Sequence, residues 1–565
     1  MRKQPVENHR LPGNGLRSEA LMFLFMSLLI ATGIFLRVWR AGDMLVFADE
    51  IHLLQCVITK NLSWIVTHFF SADACIPLAV YCKLLLEKGI LNEWLMRLPS
   101  YSAGAVILIT FGWAARKCLR PWEGLFSVGL FSLSPYFIFL AREARPYAII
   151  TLLFGVAMLC VFAWARGGPR GLLLFSSVLC ALAIYFHLVV GPAVAALGLY
   201  PLVMIASGRV SREKWRDYVY SAVIFLIITL VLVGPSAHSL LQEVGGKAGQ
   251  GNGGMETIQR GLMLMHGLPV VIPVWVWALC CAAGAWSLYR RYSPETVCMS
   301  AIVAIQMGSI WLIEPSYVEI PWVWLRYSAH VYPIVVVFVA GGLASVARLP
   351  KRGIWVSMSR CLLPLILIAF FCRHLILGNY SLRGTQMYNT HPMILFAPRE
   401  LDDSGLGRII PSFYKNRLPS LPPGSLIEVP MLVTFPLYRV YQIDHGRKFI
   451  SGTLGNGYGQ TIFGDQAVTR FKTNLPVNAS IAEVNRGARY LIIHKRIKTE
   501  LKEAFDLLRR DRLMGPQIDT MAYFFQIPML DFLFGEKDLG ISDPNWPFDC
   551  VYEDDLVAVY DLMGT

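Results

Sequence analysis

Two groups of side chains in this 565-residue chain are of types that do chemistry together. The first is a carboxylate pair, Asp49-Glu50, a short step after the first long apolar run at roughly 20–38. Its flanks are apolar: Met44 to Phe47 before it, Ile51, Leu53 and Leu54 after it. A carboxylate held against an apolar surface loses hydration, and its pKa rises toward the range where it takes a proton from a hydroxyl nucleophile. The second is Arg142-Glu143-Ala144-Arg145-Pro146-Tyr147, directly after an apolar run that ends near Leu140. The planar guanidinium fork suits phosphate oxygens. An arginine at membrane depth costs about 2.5–3.5 kcal/mol on insertion scales and is usually retained for a partner. Glu143 is equally placed for a local salt bridge to these arginines. Arg97-Leu98-Pro99-Ser100 and Arg326-Tyr327 put further arginines at the ends of two other apolar runs, Arg326 among the aromatics Trp322, Trp324 and Tyr332. Anchoring at the interface and an aromatic belt are the structural alternatives for these last two.

These residues need elements to hold them, and the composition says which kind. Hydrophobic residues make up 55% of the chain and charged residues only 16%, against about 25% charged in an ordinary soluble protein. Beyond the first run, spans of bilayer length follow at about 100–115, 123–141, 147–165, 171–187, 188–206, 218–236, 269–290, 296–313, 322–346 and 354–378, about eleven in all. The chain is therefore a polytopic α-helical membrane protein. The net charge of +13 follows from basic cytoplasmic loops, and no folded basic module for nucleic acid occurs. Phosphate-bearing lipids are a plausible partner for some of the arginines. The basic start (Arg2, Lys3, Arg10, Arg17) without a small-residue cleavage site reads as an uncleaved anchor.

Charge sets the orientation. With the N-terminus inside, the loops that should be basic hold Arg116, Lys117 and Arg120; Arg166 and Arg170; Arg209, Arg212, Lys214 and Arg216; Arg290 and Arg291; and Arg348, Lys351 and Arg352. Counting the apolar stretch 76–90 as a span would invert every later loop, so it reads as an interfacial or re-entrant helix inside a first external loop of about 40–98. Cys56 and Cys75 in that loop leave a disulfide open. Asp49, Glu50, Arg142, Arg145 and Arg326 then share one outer face. A second external loop, about 237–268, carries GGKAGQGNGG, expected as a mobile linker or a lid. His187 reads as an interface residue, and His238 and His266 lack a partner at metal-ligand spacing. Residues 379–565 change character, with β-type runs at 425–429, 490–494 and 557–561 and a polar helical stretch at 497–512. They are expected as an outer α/β domain following a membrane domain of residues 1–378.

The order of motifs resembles the GT-C glycosyltransferases, and within them the bacterial branch of protein mannosyltransferases, aminoarabinose lipid A transferases and rhizobial core transferases. The resemblance rests on Asp49-Glu50 after the first span, Asp73 before Pro77-Leu78, Arg97 to Ser100, the phrase SPYFIFLAREARPYA from Ser134 to Ala148, and Arg326-Tyr327. It implies a GT-C fold and inverting transfer of a sugar from a polyprenyl-phosphate donor to a glycan, lipid or protein acceptor. The reaction would lie outside the cytoplasm, at a bacterial inner membrane. Asp49 would be the general base with Glu50 beside it. Arg142, Arg145 and Arg326 would hold the donor phosphate, and Arg97, Glu143, Tyr147, Tyr327 and Asp73 would line the site. The external carboxylates leave a divalent cation open, and the resemblance implies that none is essential; no other cofactor is expected. The chain departs from the pattern at Cys75-Ile76-Pro77-Leu78, where the family often has a His or Lys before two prolines; Lys83 and His52 are the basic residues nearby. A transporter or flippase of a polyprenyl-linked intermediate is the alternative. Charges gathered at one face rather than at mid-membrane favour the enzyme over the carrier. A non-catalytic envelope assembly factor, a third class, would tolerate Asp49→Asn.

Overall fold

Helices apolar on every side cannot hide their surface within a chain of this size, and the fold is built from them. The structure is a computed structural model. It describes residues 14–38; 50–69 apart from 51–52, 55 and 58–59; 75–346 apart from 252, 267–272, 316–317 and 320; and, in the C-terminal part, 413–429, 449–450, 488–494 and 549–561 apart from 556. By internal contacts the chain divides into two units, Met1–Trp39 with Arg97–Leu375, and Arg40–Met96 with Ile376–Thr565.

In chain order the helices are α1 (Asn14–Val38), α2 (Leu62–Thr67), α3 (Ile76–Glu87), α4 (Glu93–Cys118), α5 (Pro121–Ser132), α6 (Pro135–Arg142), α7 (Tyr147–Ala165), α8 (Arg170–Phe186), α9 (Gly191–Ala206), α10 (Trp215–Val233), α11 (Ala237–Lys247), α12 (Met255–His266), α13 (Val274–Tyr289), α14 (Ser293–Ile313), α15 (Pro321–Ser328) and α16 (Tyr332–Val346). Among the described residues, seven helical stretches are long and apolar enough to cross a membrane. α5 and α6 make an eighth if taken as one span bent by 52°, and α8 and α13 are shorter apolar helices. Ten of the eleven expected spans therefore coincide with helix, and 354–378 lies outside the described residues. The expected unbroken span at 123–141 is corrected: the chain breaks at Leu133 and Ser134, where Ser134 caps α6 by accepting from the Phe137 amide at 3.4 Å.

In the first unit, α13 runs along α16, α7 along α8, α9 along α14, and α5 between α1 and α16. The α13–α16 crossing is close because Gly284 faces Gly341 and Gly342; a Cβ at Gly284 would strike the Phe338 carbonyl. A core of Phe154, Trp164, Leu197, Ile302 and Phe338 joins α7, α9, α14 and α16. Ion pairs with buried carboxylates pin the ends that carry the basic loops: Arg291 to Glu123 at 2.6 Å and Arg166 to Glu295 at 2.8 Å.

Of the two readings of the glycine-rich stretch, linker or lid, the free linker is not what the described residues form. Gly245 and Gly246 lie within α11, and the Gly249 amide bonds to the Ile313 carbonyl and those of Gln250 and Gly251 to the Glu314 carbonyl, at 2.8–3.1 Å. A side chain at Gly251 would run into the Pro315 carbonyl, which is why glycine stands there.

In the second unit, α3 is a 12-residue helix, below spanning length as expected. Cys56 and Cys75 are free thiols, both buried, so no disulfide closes that loop. The C-terminal part holds a mixed sheet of β1 (Ser425–Val429), β2 (Phe449–Ile450), β3 (Ala488–His494), β4 (Asp549–Glu553) and β5 (Val557–Asp561), in the order β2-β1-β3-β5-β4. β2, β1 and β3 are parallel, and β5 runs antiparallel to β3 and β4. The three expected β-type runs are thus strands, and the expected helical stretch 497–512 lies outside the described residues.

Candidate active site

Three helix breaks in the first unit gather the polar side chains. The first is the turn 143–146 between α6 and α7. Its backbone is tightened by the Arg145 amide on the Glu143 carbonyl at 2.7 Å, and Ser100 of α4 donates to the Arg145 carbonyl at 3.0 Å. The second is His187 to Val190 between α8 and α9, where the Val189 amide donates to His187 Nδ1 at 3.2 Å. The third is Ser328 to Val331 between α15 and α16. Helix ends leave backbone groups to be satisfied from elsewhere, so each break draws polar side chains to it.

Tyr147, 1% exposed, stands where the breaks meet. The Arg326 guanidinium is 5.7 Å from its ring centre, that of Arg145 6.0 Å, and the His187 ring 5.6 Å. Cation–π contacts of this kind are worth roughly 0.5–2 kcal/mol, more when desolvated. Arg326 Nη2 reaches Glu143 Oε1 at 3.4 Å, a salt bridge made across chain segments. Arg97, Arg142, Glu143 and Arg145 are all buried. Tyr136 lies within electrostatic reach of Arg326, Glu143, Tyr147 and Tyr332. Tyr332, in turn, lines an apolar cavity of about 460 Å³. Tyr332 and Trp324 close one side of that cavity, Leu262 and Trp277 line others, and Glu314 is its one charged lining residue. Ser134 donates to the Met265 carbonyl and so ties α6 to α12 beside the cavity.

The site residues read from the sequence fall into three groups. Arg97, Arg142, Glu143, Arg145, Tyr147, Arg326 and Tyr327 all belong to the first unit, and contacts bring Glu143, Arg145, Tyr147 and Arg326 together. Glu50 is buried in the second unit, within electrostatic reach of Cys82. Asp49 and Asp73 lie outside the described residues. Two expectations are corrected. Arg97 to Ser100 is not the entrance of a helix: α4 begins at Glu93 and Pro99 sits inside it. Trp324 and Tyr332 are buried in the site rather than placed in an interfacial belt. His187, read as an interface residue, is buried at the second break against Tyr147.

Arg37 was not evident as a site neighbour. It is 1% exposed near the end of α1, and its guanidinium donates to the Gly33 and Ser132 carbonyls at 2.8 and 3.1 Å and to the Phe131 carbonyl at 3.4 Å. Those last two carbonyls end α5, where a cation meets the negative end of the helix dipole. The signal was available, since Arg37, like Arg145, is an arginine at the expected outer end of a span. Among the described residues, no group of three His, Cys, Asp or Glu is placed to hold a metal ion.

No family model and no curated protein matches the chain. Among solved structures, the chain is similar to ArnT from Cupriavidus metallidurans in the apo state, with 15% identity over 96% of this chain and 98% of that one and a TM-score of 0.49. The same protein bound to undecaprenyl phosphate gives 15% identity, 96% and 98% coverage and a TM-score of 0.48. Archaeal oligosaccharyltransferase AglB from Archaeoglobus fulgidus, in complex with an inhibitory peptide and a dolichol-phosphate, gives 12% identity, 84% and 70% coverage and a TM-score of 0.45.

Proposed function

We propose that this chain is a membrane glycosyltransferase that moves a sugar from a polyprenyl-phosphate donor to an envelope glycan, lipid or protein acceptor. The observation that carries the reading is the presence, within one unit, of Arg145 and Arg326 against Tyr147 and of an apolar cavity of about 460 Å³ whose lining includes Trp324, two residues from Arg326. A lipid-linked phosphate has those two halves. Its anionic head calls for guanidinium groups that neutralise charge as the phosphate leaves, and its tail calls for a dry apolar hollow in the range of ligand pockets. Arg142, Arg145 and Arg326 bind the head, Glu143 holds Arg326 in place, and Tyr147 packs beneath the guanidinium groups.

Transfer to a hydroxyl also needs a proton acceptor, and Asp49 is that base in this reading, with Glu50 supporting it. The site faces outward at a bacterial inner membrane, on the side opposite the basic loops. The test is a transfer assay in membranes with a panel of radiolabelled polyprenyl-phosphate sugars, wild type against Asp49→Asn. Loss of the base lowers the rate by roughly 10²–10⁴-fold with unchanged protein levels. Wild-type transfer by the variant removes Asp49 from the mechanism, and absence of transfer from every polyprenyl donor by the wild type removes the donor class.

A further inference from the structure

We infer that Gln306, a residue of α14 far from the arginines in sequence, is a positioning residue for the donor-phosphate site; the inference rests on the reading given under Proposed function. Gln306 is fully buried inside a helix that the chain crosses without a break. Its Nε2 donates at 3.0 Å to the Val189 carbonyl and at 3.0 Å to the Tyr327 carbonyl. Both partners are carbonyl oxygens, so the amide must turn its NH₂ toward them; no flipped assignment satisfies the pair.

One carbonyl belongs to a helix break and the other to the last turn of α15, just before another break. Val189 lies in the break after α8 that carries His187, and Tyr327 is the residue next to Arg326. One side chain on a continuous helix thus fixes the separation of two discontinuous ones. The rest of the ring is closed by the contacts already described: His187 against Tyr147, Arg326 over Tyr147, and Arg326 to Glu143. Without the amide, the Tyr327 carbonyl next to Arg326 loses its hydrogen bond to α14, and the guanidinium shifts relative to Tyr147 and Glu143. Buried polar side chains that bridge helices in a membrane serve as such ties.

The experiment measures donor KM and kcat for the full chain in membranes. The variants are Gln306→Leu, Gln306→Asn, Arg326→Ala and the double variant Gln306→Leu/Arg326→Ala, each normalised to the amount of protein inserted. Gln306→Leu removes both donors. Gln306→Asn keeps the amide but is too short to span both carbonyls, and it carries the test if the leucine variant fails to accumulate. The expected result is a rise in donor KM of roughly tenfold or more with a much smaller change in kcat, since misplacement by about 1 Å costs up to ~10²-fold. The double variant is expected to be little worse than Arg326→Ala, because the amide acts through Arg326. A purely structural role lowers the active fraction and leaves KM alone. An unchanged KM in both Gln306 variants beside a raised KM in Arg326→Ala overturns this inference and spares the phosphate role of Arg326. A wild-type KM in Arg326→Ala retires both.

Discussion

Burial decides what each arginine contributes. Truncating a buried, charge-assisted contact costs about 1.5–3 kcal/mol, roughly 10- to 150-fold in an equilibrium or a rate. Arg145→Ala is therefore expected to lower kcat/KM for the lipid donor by that range, read from initial rates at varied donor, and an unchanged donor dependence would take Arg145 out of the site. Arg142, Arg145 and Tyr147 stood out in the sequence because arginine beside a span on the expected outer side breaks the charge rule, and the structure brings Arg145 against Tyr147. Gln306 and Ser134 did not. A glutamine within an apolar run reads as an ordinary tolerated polar residue until its two carbonyl partners, 117 and 21 positions away, are known. Which neutral polar group meets which helix end is a tertiary fact with no period or spacing to announce it.

Helix discontinuities, rather than loops, place the chemistry. The runs at 147–165 and 296–313 were readable to within a few residues because apolar length alone marks them. The break at Ser134 was hidden, since apolar residues continue on both sides of it, and the start of α4 was misplaced by Pro99. A proline inside a helix leaves the carbonyl four residues earlier without its amide partner. Here that carbonyl is Leu95, and the Tyr81 hydroxyl of α3 donates to it at 2.9 Å. The hydrogen bond explains how α4 tolerates Pro99 and extends back to Glu93. Its neighbourhood is also pH-sensitive. Burial raises the Tyr81 phenol above its ordinary value of 10.0 and pushes the Cys82 thiol from 9.0 up to about 12. In both cases the unfolded chain loses its proton first, so the stabilisation is complete below about pH 9 and is lost as pH rises toward 12. Hydrogen exchange of α3 amides is expected to quicken between pH 9 and 11 beyond the intrinsic rate increase, and less so in Tyr81→Phe. Equal protection factors across that range would refute it.

For the whole chain, length against bilayer thickness gives the most direct check on orientation. The continuous helical stretch Arg212–Lys247 has 36 residues, about 54 Å at 1.5 Å per residue, against a hydrocarbon layer of about 30 Å. Its two ends must lie on opposite sides of the membrane. Cysteines introduced singly as Ser211→Cys and Gln250→Cys are expected to react differently with a membrane-impermeant maleimide. The second labels in intact cells stripped of an outer barrier, and the first labels only after permeabilisation; the reverse pattern would turn the site to the cytoplasm. That the chain crosses a membrane repeatedly was readable from composition because the bilayer imposes length on every crossing. The strands near the C-terminus were readable from their β-branched runs, but their order in the sheet was not, because pairing across about 63 to 71 residues leaves no local mark.

The gathering of Arg145 and Arg326 at Tyr147, with Glu143 on Arg326, has a thermodynamic corollary. Like charges confined out of water raise the energy of the empty form, so an anionic guest relieves strain as it binds and firms the whole bundle. At a hundred times its dissociation constant, such a guest adds about 2.7 kcal/mol to the folded state. The melting temperature of the purified protein in detergent thereby becomes a gauge of which headgroup the cluster was built to receive, with no acceptor or turnover required.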